Sequence, residues 1–212
     1  MTEILTRAML DQVISDSIAL DRVAPGKETE KFRQTYMESL EVVNDDGTRL
    51  GSAPRGLVHR VGLRHTVVYC VIFDEVRKRM LLQTRGSGRL DISVGGHVKE
   101  DEVSYLEALS REFTEELGLV PDQGRFTTLA TYNRDAAIRT DRPLVRNRER
   151  RYVYSYVLSQ AEMVSLSDAF KFREEQEEVL DFKWVTSDEA VLAVKNGRCA
   201  DGLAASLEYI LL

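Results

Sequence analysis

Apolar residues recur along the first part of the chain at helical spacing. Ile4, Leu5, Ala8, Met9, Val13, Ile14 and Ile18 fall three or four apart, which predicts a helix over residues 2–21. Pro25-Gly26 breaks the chain, and residues 27–38 read as a second helix with Phe32 and Tyr36 on one face. From residue 39 the texture changes. Residues 40–43 and 50–52 flank Asn-Asp-Asp-Gly-Thr, a hairpin signal. TVVYCVIF, within 63–74, is a continuous apolar run rich in β-branched residues and reads as a central strand. Further strands are expected at 80–84, 90–94, 126–133, 151–158 and 179–185, with helices at 187–195 and 201–212. Residues 133–151 read as a long arginine-rich loop, a candidate diphosphate clamp or a plain surface loop.

Between the strands lies one strongly amphipathic helix. Leu106, Leu109, Phe113 and Leu117 form a stripe within roughly 40° of Phe113 at about 100° per residue. Gly118 is the expected stop. Glu116 falls about 60° from the centre of that stripe and Glu112 about 100°. Charged residues at the edge of a buried face are costly unless partnered, and like charges at i,i+4 repel. Arg111 offsets part of this charge, and a divalent cation would offset the rest. Oxygen ligands of this kind suit Mg²⁺ or Mn²⁺. The bland alternative is an acidic, solvated helix face.

The stretch Gly95–Leu119 resembles the box of the Nudix superfamily, G-x5-E-x7-R-E-U-x-E-E-x-G-U with U apolar. Gly96 and Glu102 match its first half; Arg111, Glu112, Phe113, Glu115, Glu116, Gly118 and Leu119 match its second. Eight residues rather than seven separate Glu102 from Arg111, and the extra one is placed near Val103–Ser104, ahead of the helix. The resemblance implies an α+β domain, an α/β/α sandwich with a mixed sheet. That domain would span 39–212, preceded by a helical extension over 1–38.

The resemblance also implies a metal-dependent hydrolase. Glu112, Glu115 and Glu116 would bind Mg²⁺ or Mn²⁺, with the Gly95 carbonyl as a further ligand. Glu178, or else Glu177, would supply one more carboxylate. Arg111 would hold a box carboxylate, and Glu102 would support the loop–helix junction. Glu112 or a glutamate outside the helix would act on the attacking water. The runs before the box resemble the branch of hydrolases related to isopentenyl-diphosphate isomerase. That isomerase is the rival function, but its motif carries a catalytic cysteine where Gly95 stands here. A non-catalytic nucleotide-binding regulator on the same scaffold is a third reading.

The remaining chemistry is sparser. Arg85, Arg89 and Arg64 sit beside predicted strand ends, where bidentate phosphate contacts are possible. His97 and His65 read as isolated structural histidines, and their separation in sequence argues against a zinc site. The chain has 212 residues, 43% of them hydrophobic and 30% charged, with a formal net charge of −6. That composition is globular and gives no basic footprint for nucleic acid as the main partner. No apolar run is long enough to span a membrane. The early charges of MTEILTRAML do not form a secretory signal, and Cys70 and Cys199 lack CxxC spacing, so a cytoplasmic protein with reduced thiols is expected. The broad apolar face of the first helix must pack on its own domain or on a second copy, and a homodimer with these helices at or near its interface is expected.

Overall fold

A computed structural model describes residues 37–74, 78–138, 145–170 and 179–211. The helices expected over 2–21 and 27–38 therefore lie almost entirely outside the described residues, as does Glu178. The described residues group into two compact units that interleave along the chain.

The first unit takes the chain as far as Val67, then His97–Glu102 and Tyr132–Arg151. Its hairpin pairs β1 (Ser39–Val43) with β2 (Arg49–Pro54), antiparallel, with Leu40 opposite Ala53. Asn44–Thr48 forms the turn, closed by Gly47 N–H to the Asn44 carbonyl at 3.0 Å and Thr48 N–H to Asp46 Oδ1 at 2.8 Å. A short helix that the periodicity did not predict follows, α1 (Arg55–Val61). Leu40, Val42, Ala53, Leu57, Val58 and Leu63 form the core of this unit. The chain then enters β3 (Arg64–Phe73), and His65 pairs with Val42 of β1. Val98, just past the end of β6 (Val94–His97), bonds the backbone of both Glu41 and Thr66 at 3.0 Å.

The expected loop over 133–151 is mostly strand. β7 runs Thr127–Ile138 and β8 runs Val145–Val157, and the two pair with each other. Period-2 alternation is present in the first part of β8, but there the buried positions, Glu149 and Arg151, are charged, whereas Val153 and Tyr156 are buried further on. Glu149 and Arg151 are 4% and 1% exposed and pair at 2.6 Å. A hydrophobic pattern has nothing to register over 145–151, so only the part from 151 on reads as a strand.

In the second unit the rest of β3 pairs antiparallel with β4 (Arg79–Arg85), Ile72 facing Leu81. β4 pairs in turn with β9 (Val179–Thr186) along its whole length and with the short β5 (Leu90–Asp91). Strand alternation gives β4 two working faces. Met80 and Leu82 pack with residues of α4 (Ser187–Lys195) and α5 (Asp201–Ile210), among them Ala190, Ala193, Leu203 and Leu207. Gln83, one register on, meets α2 (Tyr105–Leu117) on the other side. The unit is thus a helix–sheet–helix arrangement, and the fold is α+β. α3 (Gln160–Phe170) was not expected from the sequence; its Glu162 ties Tyr156 Oη at 2.7 Å and Arg125 at 2.8 Å to the start of that helix.

Candidate functional site

The helix α2 is set by its ends. The Ser104 hydroxyl accepts the Glu107 backbone N–H at 3.1 Å, the N-cap contact. Glu107 reaches back to the Val103 N–H at 2.8 Å. The C-terminus stops at Gly118, whose φ of 71° is left-handed and whose N–H closes on the Thr114 carbonyl. Ala108, Leu109, Phe113 and Leu117 are buried, with Phe113 against Phe126 and Tyr156. The stripe thus orients the helix and fixes where its glutamates go.

The three carboxylates differ in exposure as the helical wheel requires. Glu115 is about half exposed, whereas Glu112 is 14% exposed. Glu116 sits against β4 and the glycine turn: its Oε2 accepts Gln83 Nε2 at 2.8 Å and the Gly95 N–H at 3.2 Å. Burial, and then the charge of Glu112, push the Glu116 carboxyl up to about 8. Arg111 Nη1 donates to Glu112 Oε1 at 2.7 Å and to Glu115 Oε2 at 3.1 Å, so one guanidinium spans two of the glutamates.

Gly96 lets Glu112 in. A Cβ at that position would overlap the Glu112 carboxylate, and one at Gly95 would run into the Tyr69 ring. A turn without side chains, with a carboxylate lodged against it and a second carboxylate held neutral at pH 7 by burial and by its charged neighbour, fits a hard divalent cation. Glu102, nearly buried, lies in the first unit, where its Oε2 accepts the Lys99 N–H at 2.7 Å and closes the turn over 99–102.

The three arginines expected to meet phosphate have different surroundings. Arg85 Nε and Nη2 both lie 2.9 Å from Asp91 Oδ2, and its charge acts on Glu116 to lower the carboxyl against the effect of burial. Arg89 donates to the Cys199 carbonyl. Arg64 belongs to the first unit and is 5% exposed. Its Nε meets Asp45 at 2.6 Å, its Nη2 meets Asp135 at 2.9 Å, and its Nη1 donates to the Glu149 carbonyl at 3.1 Å.

The isolation expected of His65 and His97 is overturned. Within the first unit His59 of α1, His65 of β3 and His97 of β6 meet, with ring centroids 4.9–5.3 Å apart and candidate ligand atoms within 4.8 Å of one another. His65 is fully buried and its Nδ1 lies 3.0 Å from the Leu63 carbonyl, so Nδ1 carries the proton and Nε2 is left with its lone pair. His65 Nε2 and His59 Nδ1 are buried with no hydrogen-bond partner among the described residues. Burial, above all, lowers both histidines to about 4, so both imidazoles are neutral at pH 7. Neutral imidazoles converging at this separation have the donor chemistry of a borderline transition metal such as Zn²⁺. Separation in sequence hid this cluster, because three elements supply one residue each.

The second unit therefore gathers glutamate carboxylates on a capped helix beside a glycine turn, inside an α+β domain. That class has a family. The NUDIX domain model matches residues 63–203, and the chain belongs to that family. Among curated proteins it is similar to Nudix hydrolase 3 of Arabidopsis thaliana, 40% identical over 89 residues, which are 39% of this chain and 11% of that protein. It is similar to the uncharacterized Nudix hydrolase YfcD of Escherichia coli, 34% identical over 96 residues, 42% of this chain and 52% of that one. It also resembles an isopentenyl-diphosphate Δ-isomerase of Clavibacter sepedonicus, 35% identical over 91 residues, 40% of this chain and 47% of that one. The matches thus span about half, or much less, of these relatives' own length. The crystal structure of DR0079 from Deinococcus radiodurans superposes with a TM-score of 0.58 at 22% identity, covering 81% of this chain and 98% of that one, a likeness of fold.

Proposed function

We propose that the protein is a Mg²⁺- or Mn²⁺-dependent pyrophosphohydrolase that cleaves a nucleoside diphosphate linked to another group. The observation that carries this reading is the Glu112–Glu116 pair lodged against Gly95-Gly96, with Glu116 pushed up to about 8 by burial and by its neighbour. Glu112, Glu115, Glu116 and the Gly95 carbonyl would hold the cation, and Glu178 (or Glu177), outside the described residues, would add a ligand. A bound divalent cation screens the diphosphate and lowers the pKa of an attacking water.

The chain's own residues do the rest. Arg111 keeps Glu112 and Glu115 in fixed rotamers through its two hydrogen bonds. Glu112, or a glutamate from outside α2, takes the proton from the water. Arg85, aimed by Asp91, is the first candidate to hold a phosphate, with Arg89 next; Arg64 would first have to release its carboxylates. Glu102 keeps the turn at 99–102 closed. We assign the protein to the cytoplasm as a homodimer joined through residues 1–38. No described helix is long and apolar enough to cross a membrane.

The isomerase reading is disfavoured by the cysteines. A side chain at position 95 collides with Tyr69, while Cys70 and Cys199 are both buried and their thiols are pushed up by burial. A panel of nucleotide diphosphates with Mg²⁺ or Mn²⁺ tests the proposal. Release of a nucleoside monophosphate is expected. No release across the panel would favour a non-catalytic binding protein. Conversion of isopentenyl diphosphate to dimethylallyl diphosphate, read by NMR, would favour the isomerase.

A further inference from the structure

We infer that Gln83 is a positioning residue for the cation site, a fixed amide donor that sets the rotation of the Glu116 carboxylate. This rests on the reading of Glu116 as a metal ligand. Gln83 is 1% exposed and directly follows the apolar run Met80–Leu82. Its Nε2 donates to the Ser93 carbonyl at 3.0 Å and to Glu116 Oε2 at 2.8 Å. A carbonyl only accepts, so the amide nitrogen must face Ser93 and Glu116 always meets a donor. Ser93 is itself immobilised. It is fully buried, and its hydroxyl accepts the Ile72 N–H at 2.8 Å and donates to the Leu81 carbonyl, pinning it to β3 and β4. The Gly95 N–H addresses the same Glu116 Oε2 at 3.2 Å. Two donors on one oxygen fix the carboxylate plane and leave Oε1 as the oxygen to turn toward a cation. Outer partners of this kind orient metal ligands and tune affinity.

The test is Mn²⁺ binding by the full chain, read from the free-Mn²⁺ EPR signal, with thermal unfolding measured in parallel. Gln83→Met keeps length and burial but removes the donor. Its Mn²⁺ dissociation constant is expected to rise about 10- to 100-fold, with Tm close to wild type and kcat regained at saturating metal. A fall in Tm with an unchanged dissociation constant would make Gln83 structural and overturn the inference. Gln83→Asn, whose shorter amide cannot span Ser93 and Glu116 together, carries the same expected loss and decides the matter should Gln83→Met not fold. Glu116→Gln separates the two ideas. If it weakens Mn²⁺ binding while both Gln83 variants bind as wild type, the metal site stands and the role of Gln83 falls. If Glu116→Gln binds Mn²⁺ as well as wild type does, the reading of Glu116 falls and this inference with it.

Discussion

The glutamates of α2 and the histidines of the first unit solve opposite electrostatic problems. Around Glu112 and Glu116 the chain concentrates negative charge at the border of a core, and one carboxyl responds by holding its proton up to about 8. Around His59 and His65 it buries bases, and they respond by refusing protons down to about 4. Each group is thereby held neutral at pH 7, but only the carboxylate must give up a proton to take a cation. The imidazoles already present lone pairs. A cation at the first site would compete with a proton, whereas one at the second would meet donors ready to bind.

The largest test of this contrast is Glu116→Gln. It keeps shape and both donor contacts while removing the charge. Turnover of the diphosphate substrate should fall about 100-fold or more, roughly 3 kcal/mol of activation free energy, with the circular dichroism spectrum unchanged. Near-normal turnover at saturating Mg²⁺ would remove Glu116 from the metal set. The histidine side is probed with Co²⁺. The metal-free wild type should develop visible d–d absorption on titration, His65→Gln should lose most of it, and Glu116→Gln should keep it. Equal loss in both variants would mean that the histidines are not an independent donor set.

Gly96→Ala is the intermediate case. The added methyl enters the space of the Glu112 carboxylate. Displacing a catalytic group by about 1 Å costs up to about 100-fold, and because Glu112 can rotate away, about tenfold in kcat is expected. A steady-state assay showing no loss would mean that Glu112 reaches its working position without Gly96.

The same contrast explains what could be read from the sequence. Arg111, Glu112, Glu115 and Glu116 stand on one helix, so their relative placement follows from 3.6 residues per turn, and the exposure order of the three glutamates agrees with that wheel. The strands of the second unit were legible because β3 and β4 bury apolar runs. Gln83 stands in the sequence only as the first polar residue after such a run, and its partner Glu116 is 33 positions away. The histidine cluster needed topology. α1 has seven residues, too few for a periodic signal, and His65 meets His97 because β1, β3 and residues 97–99 bond one another. In the first part of β8 the buried positions hold Glu149 and Arg151, so that part of the strand reads as a loop.

The smallest expected effect is on stability of the metal-free protein, and its sign differs between the two sites. The folded-state value of Glu116, about 8, lies above its unfolded value of about 4.5. The folded state therefore binds more protons between those values, and stability falls as pH rises through that window. His59 and His65 fall to about 4 from about 6.5, so the unfolded state binds more protons between 4 and 6.5, and stability rises with pH there. The two contributions oppose each other from about 4.5 to 6.5. Above 6.5 Glu116 acts without the histidines, at no more than about 1.4 kcal/mol per pH unit for one proton. Urea denaturation in EDTA should show wild-type stability dropping by about 2 kcal/mol from pH 6.5 to 8, with Glu116→Gln flat over the same range. Added Mg²⁺ should remove the drop, because it binds the ionised carboxylate and stabilises the folded state alone. A Glu116→Gln curve that parallels wild type above pH 6.5 would show that the proton held in the folded state sits elsewhere, and the electrostatic opposition between the two sites would be lost.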